Sequence, residues 1–177
     1  MTYSGDRILL GSQRESQVSK FRPWVLFVVP AIAILFNFYI PLFFHFLGFL
    51  DLPLLVTVYF ALMRRSPIAG TFIGAFIGLA QDSLAKNPLG QYGIVKTLVG
   101  YFAASVGLRF DVDHPFIRLL LGFFFFFFHE FFSWVLARAL LGQQVDFDLM
   151  STLVLGILNA VVALFLFHFL DRLRETI

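Results

Sequence analysis

The chain has 177 residues, 59% of them apolar, with a mean hydropathy of +0.86 and a formal net charge of +2. Soluble domains run about 45–50% apolar and about 25% charged; here charged residues make up 14% and gather between long apolar runs, as in a chain solvated by lipid. The basic residues sit at the ends of those runs and not along one face, which argues against nucleic-acid binding, and the lack of cysteine excludes disulfides, thiolate metal sites and cysteine nucleophiles.

The first ~20 residues are polar and carry Arg7, Arg14, Lys20 and Arg22. A signal peptide would reach its apolar region sooner and end at a small-residue cleavage site. None follows Trp24, so the first apolar segment is expected to stay as a membrane anchor. The apolar stretch from Pro23 to Met63 is about twice as long as one span needs. Pro41, Gly48, Asp51 and Pro53 break it, and Asp51 before Pro53 resembles a helix start. Spans over ~23–43 and ~50–63 follow, the second ~20 Å long unless it begins nearer Phe44. Ser66 is suited to cap a third span, ~67–85, with Pro67 in its first turn. The turn Lys86-Asn87-Pro88-Leu89-Gly90 leads into a fourth, ~91–108. Arg109 to Pro115 separates it from a fifth, ~116–141, and Gly142 to Asp148 precedes the sixth, ~149–170.

The expected fold is an all-α integral membrane protein, a single bundle of about six transmembrane helices over 23–171 with tails at 1–22 and 172–177. Ten of the thirteen Lys and Arg fall on one side of such a bundle; Lys86, Lys96 and Arg138 are the others. That asymmetry predicts both termini on the cytoplasmic side.

Gly70, Gly74 and Gly78 recur every four residues on the third span, a spacing that lets two helix backbones approach closely in lipid. It predicts a central third span, packed on this chain or on a second copy in a homodimer. Gln81 and Asp82 end the stripe, ~22 Å from Pro67. Lys96 lies ~8 Å into the next span, which brings an Asp82–Lys96 ion pair within reach. Glu130 lies ~22 Å along the fifth span, and Asn159 ~15 Å into the sixth, where an amide must find partners on another helix. Charges at such depth cost ~2.5–3.5 kcal/mol each, so they act either as mutually satisfied glue between helices or as the lining of a pocket.

The six phenylalanines Phe123, Phe124, Phe125, Phe126, Phe127 and Phe128 cover every side of a helix. They are either lipid-facing bulk or a groove for a partner's helix. His129-Glu130 invites a zinc-protease reading, but H-E-x-x-H requires a second histidine where Ser133 stands. No metal site, phosphate-binding loop or serine-nucleophile motif is present, and no cofactor is expected.

Gly78-Leu79-Ala80-Gln81-Asp82-Ser83-Leu84, followed by Pro88-Leu89-Gly90, resembles the central signature of the rod-shape-determining MreD family. Asp51-Leu52-Pro53-Leu54 is similar to that family's acidic helix start, and Leu158-Asn159-Ala160 with Leu170-Asp171-Arg172-Leu173 looks like its final span. The resemblance covers ~45–175; the phenylalanine tract with His129-Glu130 departs from it. It implies a non-enzymatic adaptor of cell-wall (peptidoglycan) elongation in the bacterial inner membrane. The implied partner is MreC, with MreB, RodA and a class-B penicillin-binding transpeptidase further out. It also implies a fold like the substrate subunits of energy-coupling-factor transporters.

Two other readings stand beside it. A small-molecule-binding transporter subunit would build its pocket from Asp82, Lys96, Glu130 and Asn159. Subunits of that type often carry alanines four apart on the first span, whereas here Ala31 is followed by Leu35. An intramembrane enzyme would rest on His129, Glu130 and Ser133.

Overall fold

A computed structural model describes residues 20–85, 88 and 90–175. Six α-helices form the described bundle: α1 Val25–Tyr39, α2 Leu52–Arg64, α3 Pro67–Leu84, α4 Gln91–Gly107, α5 Pro115–Ala139 and α6 Leu149–Asp171. Two short 3₁₀ turns, Ile40–Leu42 and His45–Phe49, carry the chain from α1 to α2. Strands β1 Lys20–Phe21 and β2 Arg174–Glu175 pair antiparallel and hold the two ends of the described chain together.

Local chemistry sets the helix starts. The Asp51 carboxylate accepts the Leu54 N–H at 2.9 Å, the Ser66 hydroxyl accepts Ala69 N–H at 3.4 Å, and the Asp148 carboxylate accepts Ser151 N–H at 3.1 Å. Proline sits in the first turn of α2, α3 and α5, where its missing N–H costs nothing.

Every residue of α2 from Pro53 to Met63 is buried. A helix apolar on all sides is stable only when surrounded, and α2 is the mast of the bundle. The third span was expected in that position. Instead α3 buries one stripe, Gly70, Gly74, Ile77, Gly78, Gln81 and Asp82, and turns Ile68, Phe72 and Phe76 outward. Its stripe of small residues serves a single neighbour, and that neighbour is α4. A Cβ on Gly70, Gly74 or Gly78 would collide with the carbonyls of Gly100, Lys96 and Tyr92 respectively, and one on Gly100 with the carbonyl of Gly70. The order of these contacts makes α3 and α4 antiparallel.

Residue pairs elsewhere fix the remaining directions. Asp51 meets Lys96 and Asn159, Gly107 packs on Leu62, and Tyr59 meets Asp171, so α2, α4 and α6 run the same way. Arg118 meets Asp171, Gly122 packs on Ala160 and Ala163, and Phe126 on Gly156, which sets α5 antiparallel to α6. Among the described residues four segments are long and apolar enough to cross a membrane: Val25–Leu42, His45–Arg64, Pro115–Ala139 and Leu149–Asp171. Helices α3 and α4, with 18 and 17 residues, complete the bundle.

Candidate functional site

The break between α1 and α2 leaves backbone groups without helical partners in the middle of an apolar bundle, where they must be satisfied internally. Asn159 of α6 meets this need on both sides. Its Oδ1 accepts the Asp51 N–H at 3.0 Å, and its Nδ2 donates to the Phe49 carbonyl at 2.9 Å and to the Leu155 carbonyl at 3.0 Å. Asn159 is fully buried.

The Asp51 carboxylate faces α4. The Lys96 Nζ lies 3.0 Å from Asp51 Oδ2 and 3.2 Å from His129 Nε2, with no part of its side chain exposed. The ammonium also stands 5.0 Å from the centre of the Tyr92 ring, and that ring stacks on His129 at 5.7 Å. The other ring nitrogen of His129, Nδ1, lies 3.3 Å from Glu130 Oε1. Asp51, Lys96, His129 and Glu130 thus form one continuous line, and with Asn159 they join α2, α4, α5 and α6.

The expected Asp82–Lys96 pair does not form. The Asp82 carboxylate instead accepts three backbone N–H groups, from Gly90 at 3.0 Å, Tyr92 at 3.1 Å and Gly93 at 2.9 Å. Those are donors at the start of α4, which a helix cannot satisfy itself. Gly90 reaches this arrangement with a φ of 100°, a left-handed conformation open to glycine. Asp82 therefore clamps the end of α3 to Gly90 and the start of α4. Gln81 is buried, with its Oε1 unpartnered among the described residues, and Pro88 is exposed. Lys86, Asn87 and Leu89 lie outside the described residues.

A cavity of about 400 Å³ opens between α5, α6 and the connection that joins them. Of the four residues expected to build a pocket, Glu130 alone lines it; Asp82, Lys96 and Asn159 are occupied elsewhere. Ser133 also lines the cavity, with its hydroxyl buried and unpartnered among the described residues. The phenylalanine tract divides by angle. Phe124 is exposed, Phe123, Phe127 and Phe128 are half-buried, and Phe125 and Phe126 sit in the core. Successive helical residues point ~100° apart, so six in a row cannot all face a partner, and Phe125 and Phe126 are corrected to core residues. Among the described residues no group of three His, Cys, Asp or Glu could hold a metal ion.

A second polar cluster closes the end of the bundle where β1 and β2 pair, and sequence reasoning did not find it. Arg118 is buried; it donates to the Val112 carbonyl at 2.7 Å, pairs with Asp171, and reaches Asp113 at 3.1 Å. Tyr59 of α2 donates its hydroxyl to Asp171 at 3.0 Å, and Arg174 bonds Asp113 at 2.9 Å and Asp171 at 3.3 Å. Partial burial works against ionisation of Asp113. The hydrogen bond and charge of Arg174, with the charges of Arg118 and Arg65, outweigh it and hold the carboxyl below the usual range. Burial likewise opposes the Arg174 charge, and Asp113 overrides it, raising that group above its ordinary value. The only sequence signal was Asp171-Arg172 just beyond the last apolar run.

The family model described as rod shape-determining protein MreD matches residues 19–175. No curated protein and no solved structure matches the chain.

Proposed function

We propose that this chain, which belongs to the MreD family, is a non-enzymatic scaffold of the bacterial cell-wall elongation complex that docks MreC and helps to maintain rod shape. Family membership carries a part in rod-shape determination and a membrane setting, and the four long apolar segments agree with the latter. The scaffold reading goes further, to the inner membrane, to a specific partner and to the absence of chemistry.

One observation carries it. The polar groups where α2, α4 and α6 meet, Asp51, Lys96 and Asn159, are engaged by one another, by His129 and by backbone, while large side chains such as Phe72, Phe124 and Phe165 point outward. Polar groups spent on holding helices together, and apolar faces presented around them, suit a protein whose partners are other transmembrane helices.

The same reading takes α3 and α4 as membrane crossings, rising ~27 and ~26 Å respectively at 1.5 Å per residue. Six crossings place both ends on one side, in keeping with the β1–β2 pairing, and the Lys and Arg distribution makes that side cytoplasmic. A fold like the energy-coupling-factor substrate subunits, and contact with MreB, RodA or a class-B transpeptidase, belong to the same proposal.

Site-specific photocrosslinking in native membranes tests it, with the probe placed at Phe124, Phe72 and Phe165 in turn. The expected result is a product containing MreC from at least one position. Crosslinking to lipid alone from all three, together with purification free of MreC in mild detergent, overturns the docking assignment.

A further inference from the structure

The geometry points to a binding site for a small organic cation, a primary ammonium, in the cavity between α5 and α6, a function separate from the docking of partner helices. The cavity measures about 400 Å³, and its walls include Glu130, Ser133, Tyr92, Trp134, Phe126 and Phe147. That volume lies within the range of small-molecule sites, which pair apolar and aromatic walls with a few placed polar groups.

Three observations converge on a cation. First, the acidic side chains lining the cavity are Glu130, Asp146 and Asp148, and among the described residues no lysine or arginine lines it. Asp148 is engaged by Ser151 through both N–H and hydroxyl and Asp146 faces Arg138, which leaves Glu130, partly exposed on the wall, as the charge a ligand would meet.

Second, the Ser133 hydroxyl is unpartnered among the described residues although the residue is only 9% exposed. A helical serine ordinarily bonds the carbonyl one turn back, as Thr57 and Thr71 do here. Ser133 does not, and it stands one turn from Glu130 on the wall of the same cavity. An ammonium has three donors; the Glu130 carboxylate and the Ser133 oxygen accept two, and the aromatic faces attract its charge.

Third, the rim already holds a cation by this chemistry. The Arg138 guanidinium lies 5.8 Å from the Trp134 ring and 3.7 Å from Asp146. Trp134 in turn donates to the Val145 carbonyl at 2.9 Å and ties the covering connection down.

Glu130 is also the outer end of the buried line through His129 and Lys96 to Asp51. Occupancy of the cavity would therefore be felt by α2 and α4.

The chain has two tryptophans, so Trp24→Phe leaves Trp134 as a single fluorescent reporter on the cavity wall. The full chain in lipid nanodiscs is titrated with n-butylammonium, with n-butanol and butyrate as neutral and anionic counterparts. A saturable change in Trp134 emission is expected with the ammonium and with neither counterpart. Glu130→Gln should weaken the response about tenfold, and Ser133→Ala about threefold. Ser133→Ala should leave the melting temperature unchanged or higher, because the hydroxyl it removes has no partner to lose.

Titration in phosphatidylethanolamine and in phosphatidylcholine nanodiscs separates the sources. A right-shifted curve in the former assigns the site to a lipid headgroup ammonium, and coincident saturable curves assign it to a soluble amine. No saturable change with n-butylammonium, an equal response to n-butanol, or an unaltered response in a folded Glu130→Gln variant overturns the site.

Discussion

Asn159 and Asp51 meet across the centre of the bundle, the asparagine Oδ1 accepting the aspartate's own backbone N–H at 3.0 Å, although 108 residues separate them. The contact repairs a helix break with a side chain that is itself fully buried. It also holds the Asp51 carboxylate where Lys96 can reach it.

Replacing Asn159 with leucine would orphan the Asp51 N–H and the Phe49 carbonyl together. Each buried group left unsatisfied costs about 1–3 kcal/mol, so a loss of about 2–6 kcal/mol is expected. Unfolding in mixed detergent micelles would measure it. A variant as stable as the parent would show that the break finds other partners.

Lys96→Met strands a buried carboxylate, and Asp51→Asn strands a buried ammonium while leaving a side-chain oxygen to cap α2. Each single change should destabilise by about 3–5 kcal/mol, and the double variant should recover most of that loss. A double-mutant cycle reads the coupling directly. Additive losses would place the two groups apart.

How much of this was legible beforehand depends on distance along the chain. Caps and prolines act over three or four residues, so the starts at Asp51, Ser66 and Pro115 could be read from spacing. The glycine stripe could be read as a close-approach surface, but not which helix lay against it. Lys96 was matched to Asp82 because the two are 14 positions apart across a tight turn. Nothing local says that Asp82 is taken by backbone N–H groups, or that the 3₁₀ turns before α2 carry Asp51 inward. His129 looked like half of an absent zinc motif, and its place between Lys96 and Glu130 exists only in three dimensions.

Gly74→Ala should force α3 and α4 apart, since the added carbon meets the Lys96 carbonyl, a backbone atom that cannot swing aside. A cost of about 1–3 kcal/mol or more is expected, as for overpacking of a tight core. Ile68→Ala, at a 73% exposed position on the opposite face, should cost far less in the same melting assay. Equal effects would remove the close-approach account.

The Asp113–Arg174 bond predicts how the closure of the chain ends depends on acidity. Because the folded Asp113 has a depressed pKa, its contribution is full at neutral pH and is lost as pH falls below about 4 through the folded-state value. Hydrogen exchange at the paired β1 and β2 amides should therefore show protection that weakens with acid in the parent. In Asp113→Asn the protection should be weaker at neutral pH and its acid dependence reduced. Identical profiles for the two proteins would detach the carboxylate from the closure.

The adjacency of Lys20 and Glu175 means that the backbone path almost completes a circuit. A short glycine–serine bridge across those two positions, with a fresh opening cut in the connection between α5 and α6, would begin the polypeptide at a different helix while keeping each neighbour in place. Such a permutation would separate chain order from packing, and a split reporter inserted at the new opening would sit at the opposite end of the bundle from the β1–β2 pair.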